Sequence, residues 1–165
     1  MKRVPGARRA LFRRYHVGGC SSCGFQMTET LEGLSVRNEL NVHEVIKHLL
    51  SSHEQDQKLL LSPQELKALL DRKVTLLLID IRSRDEHEAV AISESVFFTQ
   101  EKMQELRNVI SKDALLVFYD HEGKNVLDAA SFFEGHGFTQ VKCLQGGIDA
   151  WARDIDLEMP RYKLE

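Results

Sequence analysis

Gly137-Phe138-Thr139-Gln140-Val141-Lys142-Cys143-Leu144-Gln145-Gly146-Gly147-Ile148-Asp149-Ala150-Trp151 is the stretch whose texture decides the fold. A turn at Gly137 leads into a short apolar strand over 141–144. The glycine pair then turns the chain, and a helix carrying Trp151 follows. The same strand-then-helix texture runs upstream. Residues 114–119 form an apolar strand, and the polar loop 120–124 feeds a helix over 125–135. Residues 74–81 are Leu-rich with little polar alternation, the mark of a strand covered on both faces. A short strand over 96–98 precedes a helix capped by Thr99, with Met103, Leu106, Val109 and Ile110 on one face. Ser62-Pro63-Gln64-Glu65 is a capping box with proline at the first helical position, so a helix over 63–71 follows a short strand at 59–61. Five strands alternating with helices predict an α/β domain with a five-stranded parallel sheet flanked by helices.

The composition agrees with a globular chain. Of 165 residues, 42% are hydrophobic and 28% charged, which argues against disorder or a coiled coil. The apolar run 76–79 is far too short to cross a bilayer, so no membrane partner is expected. A net charge of -3 argues against a nucleic-acid partner recruited by bulk charge. That charge is uneven: residues 1–24 hold Lys2, Arg3, Arg8, Arg9, Arg13 and Arg14 and no acid. The start lacks the apolar core of a secretory signal. It reads as the basic face of a first helix rather than as a transit peptide. Three cysteines are too few for a disulfide scaffold, and the odd count places the chain in a reducing, cytoplasmic compartment.

The first third of the chain differs. Val4, Ala7, Leu11, Phe12 and Tyr15 recur at helical spacing, opened near Pro5 and broken at Gly18-Gly19. Leu31 and Leu34 mark a second helix, and Asn41 with Glu44 opens a third that carries Val42, Val45, Ile46, Leu49 and Leu50. Residues 51–58 are polar throughout and read as the linker. The expected organisation is a small all-α N-terminal domain over 1–51, a linker over 52–58, the α/β domain over 59–154 and a C-terminal tail over 155–165.

Gly18-Gly19-Cys20-Ser21-Ser22-Cys23-Gly24 is the most chemical stretch. A C-x-x-C spacing brings two sulfurs within reach of a disulfide or of one metal ion. Three readings stand open. Cys20 and Cys23 form a redox-active dithiol or accept persulfide sulfur. Alternatively they hold a metal, zinc or an iron–sulfur cluster, with His16 as a third ligand. In the third reading they are structural thiols closing a turn. Cys143, inside the last strand, reads as core, and so do Trp151 and the Phe132-Phe133 pair. The histidines His43, His48, His53, His87 and His136 read as surface or helix-face residues.

Two resemblances sharpen this. Ile79-Asp80-Ile81-Arg82 after a buried strand, with the Gly137 to Trp151 ending, is similar to rhodanese domains over about 59–154. The resemblance implies a catalytic loop after the strand that ends at Tyr119, where such enzymes place a persulfide-forming Cys within Y-C-R-x-G-x-R-S. Here the loop is Asp120-His121-Glu122-Gly123-Lys124-Asn125. Asp120 stands at the Cys position and Asn125 at that of the second Arg. A carboxylate forms no persulfide, and two acids repel an anionic substrate from a helix N-terminus. Thiosulfate sulfurtransfer at this loop is therefore not expected, nor is the Cys-dependent phosphatase chemistry known on this fold. Asp120, His121 and Glu122 could bind a divalent cation or supply a base, but a helix-capping loop is the favoured reading.

Residues 4–50 resemble the small helical domain of hybrid-cluster-associated and iron–sulfur-cluster-repair proteins, through Pro5-Gly6-Ala7, Leu11-Phe12, the Gly-Cys turn and Thr30-Leu31-Glu32. That implies a redox or cluster-linked role. The expectation is a catalytically inactive rhodanese-like protein that works as an interaction or regulatory module with a protein partner. The alternatives are a redox or persulfide relay through Cys20 and Cys23, and a metal- or cluster-binding protein. The oligomeric state is left open.

Overall fold

The computed structural model describes residues 6–17 and 29–162, and the chain divides into two units between Lys58 and Leu59. Cys20 and Cys23 lie outside the described residues.

The first unit holds α1 (Ala7–Tyr15), α2 (Leu31–Arg37) and α3 (Val42–Leu59). Ala10, Leu11, Val17, Leu34, Val45 and Leu49 form their buried core. The starts of α2 and α3 have a chemical cause. Thr30 accepts from the Gly33 amide, and Asn41 Oδ1 accepts from the amides of His43 and Glu44. α1 ends on His16 in the left-handed conformation.

The second unit continues with β1 (Leu60–Leu61), α4 (Pro63–Asp71), β2 (Leu76–Asp80), α5 (Arg84–Ala89), β3 (Val96–Phe97) and α6 (Gln100–Val109). It closes with β4 (Leu115–Tyr119), α7 (Val126–Gly135), β5 (Gln140–Leu144) and α8 (Gly147–Asp154). All strand pairs are parallel, in the order β1-β5-β4-β2-β3. The five-stranded parallel sheet read from the sequence is thus present. Side-chain alternation divides its core in two. Ile79, Leu116, Phe118, Val141 and Cys143 pack against Val126, Ala130 and Phe133 of α7. Leu78, Val117, Tyr119 and Leu144 pack on the opposite face with Leu66 of α4 and with Ile148 and Trp151 of α8.

Several sequence expectations need correction. The polar segment 52–58 is not a loop but the last two turns of α3. Asp56 there is buried and ion-paired with Arg9 of α1, so a polar stretch is held helical by a partner 47 residues away. Phe132 is 40% exposed, because α7 turns Phe133 inward and leaves its neighbour at the surface. His48 is not a bare helix-face residue: its Nε2 lies 3.0 Å from the Ala10 carbonyl, and its ring meets Tyr15 edge-on. The expected tail is packed: Ile155 and Met159 lie against the α8 face of the core.

The sheet order fixes where a site can form. The chain leaves β2 toward β3 on one side and leaves β4 toward β5 on the other. Between the carboxyl ends of β2 and β4 the connections diverge and open a crevice, the usual ligand position in such sheets. Asp80 and Tyr119 end these two strands in register, and Arg82 and Asp120 follow them.

Candidate functional site

A cavity of about 420 Å³ sits at this switch point, lined by Ile81, Arg82, Glu86, His121, Lys124 and Asn125, together with Asp120 and Glu122. Through Arg82 the cavity adjoins a buried charge network. Arg82 donates from Nε to Asp80 Oδ1 at 2.9 Å and from Nη2 to Asp80 Oδ2 at 2.5 Å. Asp80 Oδ2 also accepts from the Tyr119 hydroxyl at 2.8 Å and lies 2.8 Å from His87 Nδ1. The Arg82 guanidinium stands over the Tyr119 ring and donates to the Val90 carbonyl. His87, read from the sequence as a surface residue, belongs to this network because α5 brings it back over the end of β2.

Burial works against the Asp80 carboxylate, but hydrogen bonds from Arg82 and His87 outweigh it, and Asp80 ionises below the ordinary carboxylate range. Arg82 is driven the other way: burial opposes its charge, and the bond to Asp80 raises its pKa above the usual value. Burial also raises the Tyr119 hydroxyl. Glu86 is likewise lowered, burial being outweighed by bonds from Ser83 and Tyr162. Two depressed carboxylates stabilise the fold fully above their unfolded values, and the stability is lost as pH falls through the folded values. Thermal melts from neutral pH downward are expected to show a falling Tm, with a shallower acid limb in Glu86→Gln. An unchanged limb would remove Glu86 from this account.

The loop after β4 is closed by its own side chain. Asp120 is buried; its Oδ1 accepts from the Gly123 amide and its Oδ2 from the Asn125 amide at 2.7 Å. Two amides of the loop that leads into α7 therefore converge on a carboxylate supplied by the loop itself. Glu122 and Lys124 pair with each other at the surface, and Lys124 holds the Glu122 carboxyl below its usual range. The loop is pinned to the start of α8: the Ile148 amide donates to the Asp120 carbonyl at 2.9 Å, and the Asp149 amide to the His121 carbonyl at 3.0 Å. His121 is also buried, and its Nδ1 has no hydrogen-bond partner among the described residues.

The loop residues singled out in the sequence thus stand together at the switch point. Tyr162 was not anticipated. Its hydroxyl donates to Glu86 Oε1 at 2.7 Å and accepts from Arg82 Nη1 at 2.7 Å, and its ring lies 4.4 Å from that of His121. Nothing local marks Tyr162, since its partners are 76 and 80 residues away. Of Cys20, Cys23 and His16, only His16 lies among the described residues, as the exposed cap of α1 against the edge of Phe12. No group of three or more His, Cys, Asp or Glu that could hold a metal is found among the described residues. No helix among them is long and apolar enough to cross a membrane.

The parallel sheet has known counterparts. The profile of the rhodanese-like domain family matches residues 62–154, and the chain belongs to that family. Among curated relatives, the adenylyltransferase and sulfurtransferase MOCS3-1 of Zea mays is 29% identical over 106 residues, 60% of this chain and 23% of that protein. The thiosulfate sulfurtransferase GlpE of Coxiella burnetii is 26% identical over 82 residues, 50% of this chain and 77% of that protein. The chain spans about a quarter of the length of the adenylyltransferase–sulfurtransferases it matches. The human single-domain sulfurtransferase TSTD1 superposes with a TM-score of 0.52 at 22% identity, over 58% of this chain and 96% of that one, a likeness of fold. The second unit is therefore a rhodanese-like domain related to sulfurtransferases.

Proposed function

We propose that this chain is a rhodanese-like module that has given up sulfurtransfer at its loop and works by binding or regulation, linked to sulfur or redox metabolism. One observation carries the reading: the Asp120 carboxylate accepts from the Gly123 and Asn125 amides, so the loop's own side chain stands where an anionic substrate would be held. Asp120 stands at the position where the family has its sulfur-accepting Cys. A carboxylate oxygen is a poor nucleophile toward sulfane sulfur and stores none. The link to sulfur metabolism rests on the sulfurtransferase relatives.

A second reading assigns the chemistry to Cys20 and Cys23, as a redox dithiol, a persulfide acceptor or, with His16, a zinc or iron–sulfur ligand set. It is supported by the C-x-x-C spacing.

Native mass spectrometry of anaerobically purified protein with thiosulfate, beside a thiosulfate:cyanide assay, tests both. The parent is expected to turn over no faster than Asp120→Ala, and to gain no sulfur that survives replacing Cys20 and Cys23 by Ser. Turnover lost in Asp120→Ala would overturn the module reading. A bound metal, an added sulfur or a reversible loss of two hydrogens, abolished by those Ser replacements, would move the chemistry to the Cys turn.

A further inference from the structure

The segment after α8 packs on polar and apolar seats of the domain. Pro160, Arg161 and Tyr162 lie along His121, Ile148, Asp149 and Ala152. Arg161 makes a two-pronged pair with Asp149, Nε to Oδ1 at 2.9 Å and Nη2 to Oδ2 at 3.1 Å. The Tyr162 hydroxyl bridges Glu86 and Arg82, and its ring covers His121. These seats therefore provide a carboxylate for a guanidinium and, next to it, a slot for an aromatic hydroxyl between a cation and an acid.

Their present occupant is held firmly at Met159 and at the Tyr162 hydroxyl, and weakly at Arg161. The Arg161 and Asp149 side chains are 52% and 25% exposed, and ion pairs this exposed contribute little and weaken in salt. Leu157, earlier in the same segment, is 81% exposed and adds no burial. Beneath the Tyr162 ring, His121 Nδ1 is covered without a hydrogen-bond partner, a cost that the closed arrangement carries and an open one sheds.

We propose that this surface is a recognition site for an extended peptide of a partner protein carrying a basic residue followed by an aromatic one, and that Pro160-Arg161-Tyr162 is an exchangeable strap occupying it within the chain. The proposal rests on the reading of the domain as a binding module and names the partner chemistry of its loop. Bound peptide would place its arginine on Asp149 and its aromatic hydroxyl between Arg82 and Glu86.

The test uses full chains and a fluorescein-labelled synthetic peptide with the sequence of residues 156–163. Fluorescence anisotropy is followed for the parent and for the Arg161→Ala, Tyr162→Ala double variant. The peptide is expected to bind the double variant about tenfold more tightly than the parent. Adding Asp149→Ala should abolish that gain, and a peptide with Glu in place of its Arg should not bind. Equal affinity for both chains, or no binding to either, would overturn the proposal. Thiosulfate turnover dependent on Asp120 would instead overturn the module reading, and anisotropy would still decide whether the surface takes the peptide.

Discussion

Arg82→Ala is expected to destabilise the rhodanese-like unit by about 3–5 kcal/mol, because it leaves a buried carboxylate without its cation. The Asp80 side chain is fully buried, and Arg82 supplies three of its hydrogen bonds, one from the backbone amide and two from the guanidinium. Truncation removes the two charged ones. It also removes the bond to the Val90 carbonyl and the support for Tyr162. Equilibrium urea unfolding measures the loss. If the unpaired charge is the cause, the double variant Asp80→Asn, Arg82→Met should recover most of the stability. A loss below about 1 kcal/mol in Arg82→Ala would mean that His87 and Tyr119 hold the carboxylate unaided, an interaction of the size of an ordinary neutral hydrogen bond.

Gly147→Ala is expected to cost about 3 kcal/mol or more, combining left-handed backbone strain with overpacking against atoms that cannot move aside. Gly147 has φ of +61°, and a Cβ there would fall 2.6 Å from the carbonyl carbon and oxygen of His121 and closer still to the Asp120 carbonyl. These are backbone atoms of the loop, so relief requires the loop to leave the start of α8. The amides of Ile148 and Asp149 would then lose the two carbonyls they hold. Gly147→Ala should therefore lower Tm and speed hydrogen exchange at the Ile148 and Asp149 amides. Gly135→Ala, where an added Cβ meets nothing within 4 Å, should do neither. Unchanged exchange in Gly147→Ala would show that the loop is not seated by this approach.

What could be read in the sequence, and what could not, follows from the range of the interactions. β2 and β4 were legible because both faces of a central parallel strand are buried, which leaves an uninterrupted apolar run. The Ser62–Glu65 capping box announced α4, since both partners lie within one turn. The same signal at Ser83 and Glu86 opens α5, yet that helix buries no residue and so lacks the apolar periodicity that draws attention to it. With α5 unread, His87 could not be placed on Asp80. The helical state of 52–58 was hidden because its stabilising contact joins Asp56 to Arg9 rather than to a neighbour.

For the candidate site, residue identity and loop position were local facts. Asp120 at a strand end, followed by His121, Glu122, Gly123, Lys124 and Asn125, is visible in the sequence. That the carboxylate turns back onto the amides of Gly123 and Asn125 is a matter of backbone curvature. The burial of His121, the Tyr162 bridge and the grip of Arg161 on Asp149 depend on α5, the loop and the segment beyond α8 meeting at the carboxyl end of the sheet. The sequence by itself determined the parallel α/β class and a loop without a sulfur nucleophile, because periodicity, caps and side-chain chemistry are written within a few residues of one another. The tertiary structure alone decided which charges are buried together and which segment covers the loop, because those contacts join residues tens of positions apart and exist only once the sheet has formed.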